Sequence, residues 1–265
     1  MNTGPNPISV GISMLRARRV SRPKFSVSGA PLDSITVAHG DFERVLSAAS
    51  TGGASALGGL ELDIGRYTAV LVAIDPDRLT RGEALAYWLN LYNAGALLAA
   101  GRAHRTDVSS VLRVPGAFTS PWIEVAGVPL SLDQIEHGKI RRFHDPRIHG
   151  ALICGSVSCP TLRPTPFTGS GLENQLDDQM RSFIARGGGS VNRGSKTVTL
   201  SRVFKWYGRD FVSPSKMPTI LPAGGIRVAA AVAPWFSLSD SEFITNEQPA
   251  VEFAAYDWGL GCSIA

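Results

Sequence analysis

Residues 80–100, TRGEALAYWLNLYNAGALLAA, decide how this chain folds. Thr80 can cap a helix, and Glu83 follows three residues on, the spacing of a capping box. From Glu83 onward the run is apolar on nearly every face, which predicts a helix buried at the centre of the molecule. Asn90 and Asn93 interrupt it, so it is not the unbroken stretch of about 20 apolar residues that a bilayer span needs. Carboxamides inside such a helix require hydrogen-bond partners. Three positions apart, they lie next to each other on one face. Either they tie the helix to neighbouring backbone, or one of them orients a catalytic imidazole or a substrate carbonyl.

Other elements gather around that helix. Residues 35–49 place Phe42, Val45, Leu46 and Ala49 at helical spacing. A flexible loop, TGGASALGG (51–59), is expected next, and Tyr67–Ile74 reads equally as helix or strand. Residues 122–130, WIEVAGVPL, read as two short strands turning at Ala126-Gly127. Ser131 caps a helix with Gln134 at the third position. His149–Cys154 reads as a buried strand, which would point the two side chains to opposite faces. Gly155–Pro160 must turn. Leu172, Leu176, Met180, Phe183 and Ile184 form an amphipathic stripe that ends at Gly187-Gly188-Gly189. A hairpin around Gly194 follows, then a short helix with Phe204, Tyr207 and Phe211 inward, and a terminal strand over 251–260. The mixture predicts a single α+β domain with a central buried helix packed on a mixed or antiparallel sheet.

The chemistry concentrates in Glu136–Cys159, EHGKIRRFHDPRIHGALICGSVSC. This window holds His137, His144 and His149 of the five histidines and Cys154 and Cys159 of the three cysteines. Thiols and imidazoles suit nucleophilic attack, proton transfer near neutral pH and soft-metal binding. The nearby Arg141, Arg142 and Arg147 read as solvated charges, and Trp206-Tyr207 as core packing. His39 and His104 are expected at the surface without a role. There is no Walker loop, dinucleotide glycine motif or HExxH.

The net charge of +4 is concentrated at one end. Residues 1–32 hold Arg16, Arg18, Arg19, Arg22 and Lys24 and no acid, while the remainder is close to neutral, which argues against nucleic-acid binding. That segment reads as a weak organelle-targeting signal or as a basic arm over the domain. The rest reads as a soluble protein. Three cysteines are too few for a disulfide framework, although Cys154 and Cys159 could pair with each other.

Four ordered motifs, AYWLNLYNA (86–94), LSLDQIEHGKIR (130–141), DPRIHGALICGSVSCPTL (145–162) and LSRVFKWYGRDF (200–211), together resemble the DUF547 family. AHGDFERVL (38–46) and YDWGL (256–260) resemble its opening helix and its terminus. The likeness covers about residues 34–260. It divides the chain into a basic extension, 1–33, and a DUF547-like domain, 34–265. It places Asn90, Asn93, Glu136, His149, Cys154, Ser158 and Cys159 on the family pattern. Ile153, Gly150 and Thr161 depart from it, where an Asn, an aromatic and a proline are usual. Some plant members resemble fusions to a leucine-zipper segment, which implies a protein partner.

Three functions are weighed for the window. In a thiol-dependent enzyme acting on an acyl or amide bond, Cys154 is the preferred nucleophile and His149 its base. His137, Glu136, Asn90, Asn93, Cys159 and Ser158 complete the site, in a division of labour seen in Cys-His-Asn hydrolases. A papain- or transglutaminase-like arrangement is an analogy of fold only. The substrate would be a small molecule or a peptide. In a zinc site, a lesser alternative to an expectation of no cofactor, His149, Cys154 and Cys159 would be completed by His137 or His144. In a structural or protein-interaction domain, the same residues are packing.

Overall fold

A computed structural model describes residues 20–23, 35–57 and 59–261 of this chain. Most of the basic extension and Cys262 lie outside them. Among the described residues no helix is long and apolar enough to cross a membrane.

The first two helices, α1 (Gly40–Leu57) and α2 (Glu61–Val72), precede the central one, α3 (Arg81–Arg105). Thr80 Oγ1 accepts the Glu83 amide at 3.4 Å, as the capping pattern requires. Every residue from Ala84 to Leu97 is buried, so α3 is covered on all sides. On one side lie α1, with its stripe of Phe42, Val45, Leu46 and Ala49, and α2, with Ile64, Tyr67 and Leu71. On another lie the antiparallel hairpin β1 (Ile123–Val125) and β2 (Val128–Leu130) and the helix α4 (Leu132–Gly138). The approach is closest at Gly95, where a Cβ atom would stand 2.5 Å from the Trp122 ring.

Two local expectations are corrected here. The loop expected after Ala49 is helical through Leu57, because Leu57 docks beneath Gly101 of α3, where a Cβ would meet the Leu57 carbonyl at 2.7 Å. His149–Cys154 is not a strand. Helix α5 spans Ile148–Ala151, and the chain becomes extended only at Leu152. Asp145 Oδ1 accepts the Arg147 amide at 3.0 Å and starts that turn. The Asn93 side chain then takes the Ala151 carbonyl at 3.0 Å and the Ile153 amide at 3.2 Å, the groups a neighbouring strand would have engaged.

The second half is built on α6 (Leu172–Phe183), whose stripe is shared: Leu172 and Leu176 belong to the core around α3, Met180 and Phe183 to a second core. Beyond the bend at Gly187 (φ +106°) come β3 (Gly189–Asn192) and β4 (Thr197–Leu200), paired antiparallel, with β5 (Ala250–Phe253) parallel to β4. This mixed sheet and the helices α7 (Arg202–Trp206), α8 (Gly208–Val212), α9 (Gly225–Val232) and α10 (Leu238–Glu247) surround the second core. The single helix expected over 201–211 is two, broken at Tyr207. The protein is α+β, with small sheets.

After β5 the tail runs extended and returns to the Gly155–Ser158 turn. Val157 N–H bonds Gly259 O at 2.9 Å, Ser158 N–H bonds Asp257 O at 3.2 Å, and Gly261 N–H bonds Gly155 O at 3.1 Å. Gly155 has φ +77°, and a Cβ there would stand 2.7 Å from Val111. The turn therefore needs glycine both for its left-handed backbone and for the close approach.

Candidate functional site

Two polar clusters meet where the halves join. The deeper one centres on Arg141, in the 3-10 segment after α4, and Asp210 of α8, both fully buried. Arg141 Nε and Nη2 grip the two carboxylate oxygens at 2.9 and 3.0 Å, and Nη2 also reaches the Thr219 carbonyl at 2.8 Å. This two-toothed pairing suits a guanidinium removed from water. His149 Nε2 donates to Asp210 Oδ2 at 2.8 Å, and its ring stacks on Tyr207 with centroids 3.9 Å apart. Tyr207 in turn donates to Glu136 Oε1 at 2.8 Å, and Tyr92 of α3 to Oε2 at 3.4 Å. His137 Nδ1 lies 3.4 Å from Glu136 Oε1.

Electrostatics decides the charge states here. Burial lowers His137 to about 4 despite Glu136 beside it, and lowers His149 despite Asp210. Both imidazoles are neutral at pH 7. Burial pushes the Glu136 carboxyl up, but His137, His149, Arg141 and the Tyr207 hydroxyl outweigh it and hold the group below its usual value. With the imidazoles neutral, Arg141 and Tyr207 carry that effect at neutral pH.

The second cluster is the CGSVSC turn. Cys154 and Cys159 are free thiols, each half-buried. The Cys154 sulfur lies 2.9 Å from Ser156 Oγ and 3.3 Å from the Tyr256 hydroxyl, and the two oxygens are 2.8 Å apart. Each hydroxyl has one proton, so two of the three contacts are served at a time, and with both hydroxyls turned to the sulfur Ser156 and Tyr256 stabilise its thiolate. Hydrogen bonds from Cys159, Ser156 and Tyr256 outweigh burial and draw the Cys154 thiol down to about 6. Burial raises the Tyr256 phenol, which therefore keeps its proton and acts as a donor. The Cys154 amide donates to Cys159 Sγ at 2.8 Å. A cavity of about 170 Å³ opens beside Cys159, walled by Phe183, Arg186, Ser201 and Ala254.

The structure brings some expected site residues together and separates others. Cys154 and Cys159 meet, as do Glu136, His137 and His149. No hydrogen bond joins the Cys154 sulfur to His149, whose Nε2 is committed to Asp210. Asn93 is coupled to Cys154 through the Ile153 backbone. Asn90 faces elsewhere, holding both backbone groups of Phe167 at 2.8 and 2.9 Å and touching His39 at 3.3 Å. Ser158 Oγ accepts the Asp257 amide at 2.9 Å and so anchors the tail. His144 is an exposed left-handed residue bonded to the Pro214 carbonyl. Among the described residues no three His, Cys, Asp or Glu side chains converge as metal ligands.

Three surface readings are corrected. His39 is buried and its Nδ1 lies 2.7 Å from the Tyr67 hydroxyl. Arg141 is sealed against Asp210, and Arg147 is ion-paired with Asp145, Glu173 and Asp177. Sequence reasoning missed Asp210, Ser156 and Tyr256. All three stand inside the motifs quoted above, but a lone aspartate, serine or tyrosine gives no periodic signal of its partner.

Comparison with known proteins completes the description. The pattern of the family described as "Protein of unknown function, DUF547" matches residues 76–184. No curated protein and no solved structure matches the chain. The DUF547 stretch carries Tyr92, Asn93, Glu136, His137, Arg141, His149, Cys154, Ser156 and Cys159. Tyr207, Asp210 and Tyr256, which complete both clusters, lie beyond it.

Proposed function

We propose that the protein is a thiol-dependent enzyme in which Cys154 attacks an acyl or amide carbon. One observation carries the reading: a partly buried sulfur with Ser156 Oγ at 2.9 Å and the Tyr256 hydroxyl at 3.3 Å, hydrogen bonds that draw its thiol down without a contacting imidazole. The Cys154 thiolate forms the S–C bond while the carbonyl electron pair moves to oxygen. Collapse then breaks the bond to the leaving amine or alcohol, which takes a proton from the Cys159 thiol. Water hydrolyses the thioester and restores the resting state. Peptides and small acyl compounds are the substrate classes that fit, entering through the cavity beside Cys159.

In this scheme His149, His137, Glu136 and Asn93 are positioning residues. The Asn93 carboxamide supports the backbone leading into Cys154. The His149–Tyr207 stack ends next to Trp206, which packs on Tyr256, the donor nearest the sulfur cluster from the tail. A second reading, a non-catalytic protein-interaction domain, is favoured by Asn90, Asn93 and His149 spending their hydrogen bonds inside the fold.

Residue-resolved alkylation with iodoacetamide across pH 5 to 9, followed by exposure to p-nitrophenyl acetate, separates the two. Rapid modification of Cys154 with a midpoint near 6, and an acetyl group on Cys154, support the enzyme. A Cys154 that reacts only above about pH 8, the ordinary thiol range, and takes no acetyl group overturns it and leaves the interaction domain.

A further inference from the structure

We propose that Cys154 and Cys159 form a reversible disulfide, an oxidative lock on the same turn. The consequence for activity rests on the reading of Cys154 as nucleophile; formation of the bond does not. The two cysteines are already adjacent: the Cys154 amide donates to Cys159 Sγ at 2.8 Å, so the Cys159 sulfur sits against the Cys154 backbone. The turn that brings them together is set by the backbone. Cys159 N–H bonds Ser156 O at 3.1 Å, and Gly155 in its left-handed conformation reverses the chain. The tail holds this turn at Gly155, Val157 and Ser158 through three backbone hydrogen bonds, none of which uses either sulfur. Closing the S–S bond therefore needs side-chain rotation and leaves the clamp in place. Neither residue is fully sealed, and Cys159 lines the cavity, so a small oxidant has an approach to the turn.

The oxidant class is a hydroperoxide. The Cys154 thiolate attacks the distal peroxide oxygen, the O–O bond breaks, and the alkoxide leaves and takes a proton from water. Cys154 is then a sulfenic acid. The Cys159 sulfur attacks it, the S–O bond breaks, and hydroxide leaves as water with the Cys159 proton. Two thiols are oxidised by two electrons in total, and one hydroperoxide is reduced to alcohol and water. Reduction needs an external thiol, and the cavity gives it access at Cys159. Attack there expels Cys154, whose depressed thiol makes it the better leaving group.

The test uses the full chain, reduced and then treated with one equivalent of hydrogen peroxide, digested without reductant and read by mass spectrometry. The expected product is a single peptide carrying a Cys154–Cys159 loop, lighter by two hydrogens and reversed by dithiothreitol. Linkage is accompanied by loss of Cys154 alkylation. In Cys159→Ser the same treatment stops at a Cys154 sulfenic acid captured by dimedone. A wild-type protein whose Cys154 is captured by dimedone or over-oxidised without linkage overturns the proposal, as does linkage through Cys262. Alkylation and acetylation of the reduced protein keep the two readings apart. A reactive, acetylated Cys154 that never links sinks the lock alone. Linkage with no acetylation in the reduced state upholds the lock and sinks the acyl chemistry.

Discussion

Trp206 packs against Tyr256 with ring centroids 4.9 Å apart. One residue on, Tyr207 stacks on His149 at 3.9 Å. The end of α7 thus touches the sulfur cluster with one ring and the Arg141–Asp210 cluster with the next, and a change in the buried cluster has a direct route to the donors around Cys154.

Tyr256→Phe removes a hydroxyl and keeps the ring. The Cys154 sulfur loses the hydroxyl donor that lies 3.3 Å from it. A hydrogen bond to a charged group is worth about 1.5 kcal/mol, so the Cys154 thiol should rise by about one pH unit. The pH profile of iodoacetamide alkylation measures it. An unmoved midpoint would mean that Ser156 and Cys159 suffice.

Asp210→Asn keeps the shape of the side chain and withdraws the charge facing Arg141. Breaking a buried ion pair from one side costs about 3–5 kcal/mol, because the surviving charge stays buried. Urea unfolding should report a loss of that order. A loss below about 1 kcal/mol, the level of an exposed pair, would contradict the burial of this pair.

Asn93→Ala and Asn90→Ala each orphan one backbone carbonyl and one amide, at about 1–3 kcal/mol per group. Their stability losses should be similar. Their effects on sulfur should differ, because only Asn93 holds Ile153 beside Cys154. Asn93→Ala should change the rate of Cys154 alkylation, whereas Asn90→Ala, acting at Phe167 and His39, should leave it unchanged. Equal effects on alkylation would refute the separation.

Acid should destabilise the fold before its carboxylates titrate. His39 and His137 are lowered by burial from 6.5 to about 4. Between those values the unfolded chain takes up protons that the folded one refuses, so stability is complete above 6.5 and falls as pH drops toward 4. At pH 5 each contributes a loss of about 2 kcal/mol. His149 shifts in the same direction and adds to it. Chemical denaturation at pH 7 and pH 5 tests this, and equal stabilities would show that these rings are not held neutral.

Periodic features could be read from the chain: the capped α3, the capping box at Ser131 with Gln134, the Ala126-Gly127 turn and the α6 stripe all depend on local spacing. The misread segment, HGALIC, is short and apolar, and period alone does not separate a buried strand from a helical turn. What decides it is the Asn93 carboxamide, reaching across from residues distant in sequence. The site follows the same pattern. The paired sulfurs lie only five residues apart, so sequence spacing alone puts them within reach of each other. Asp210 and Tyr256 come from segments whose approach depends on the second core.

The boundary of α6 has a consequence for how the family and the fold relate. The DUF547 stretch ends at residue 184, just where α6 ends, and that helix gives one flank to each core. Excised there, it would bare Met180 and Phe183 to water and strand Arg141 without its counterion. The inherited pattern and the smallest autonomous folding unit of this chain therefore have different borders.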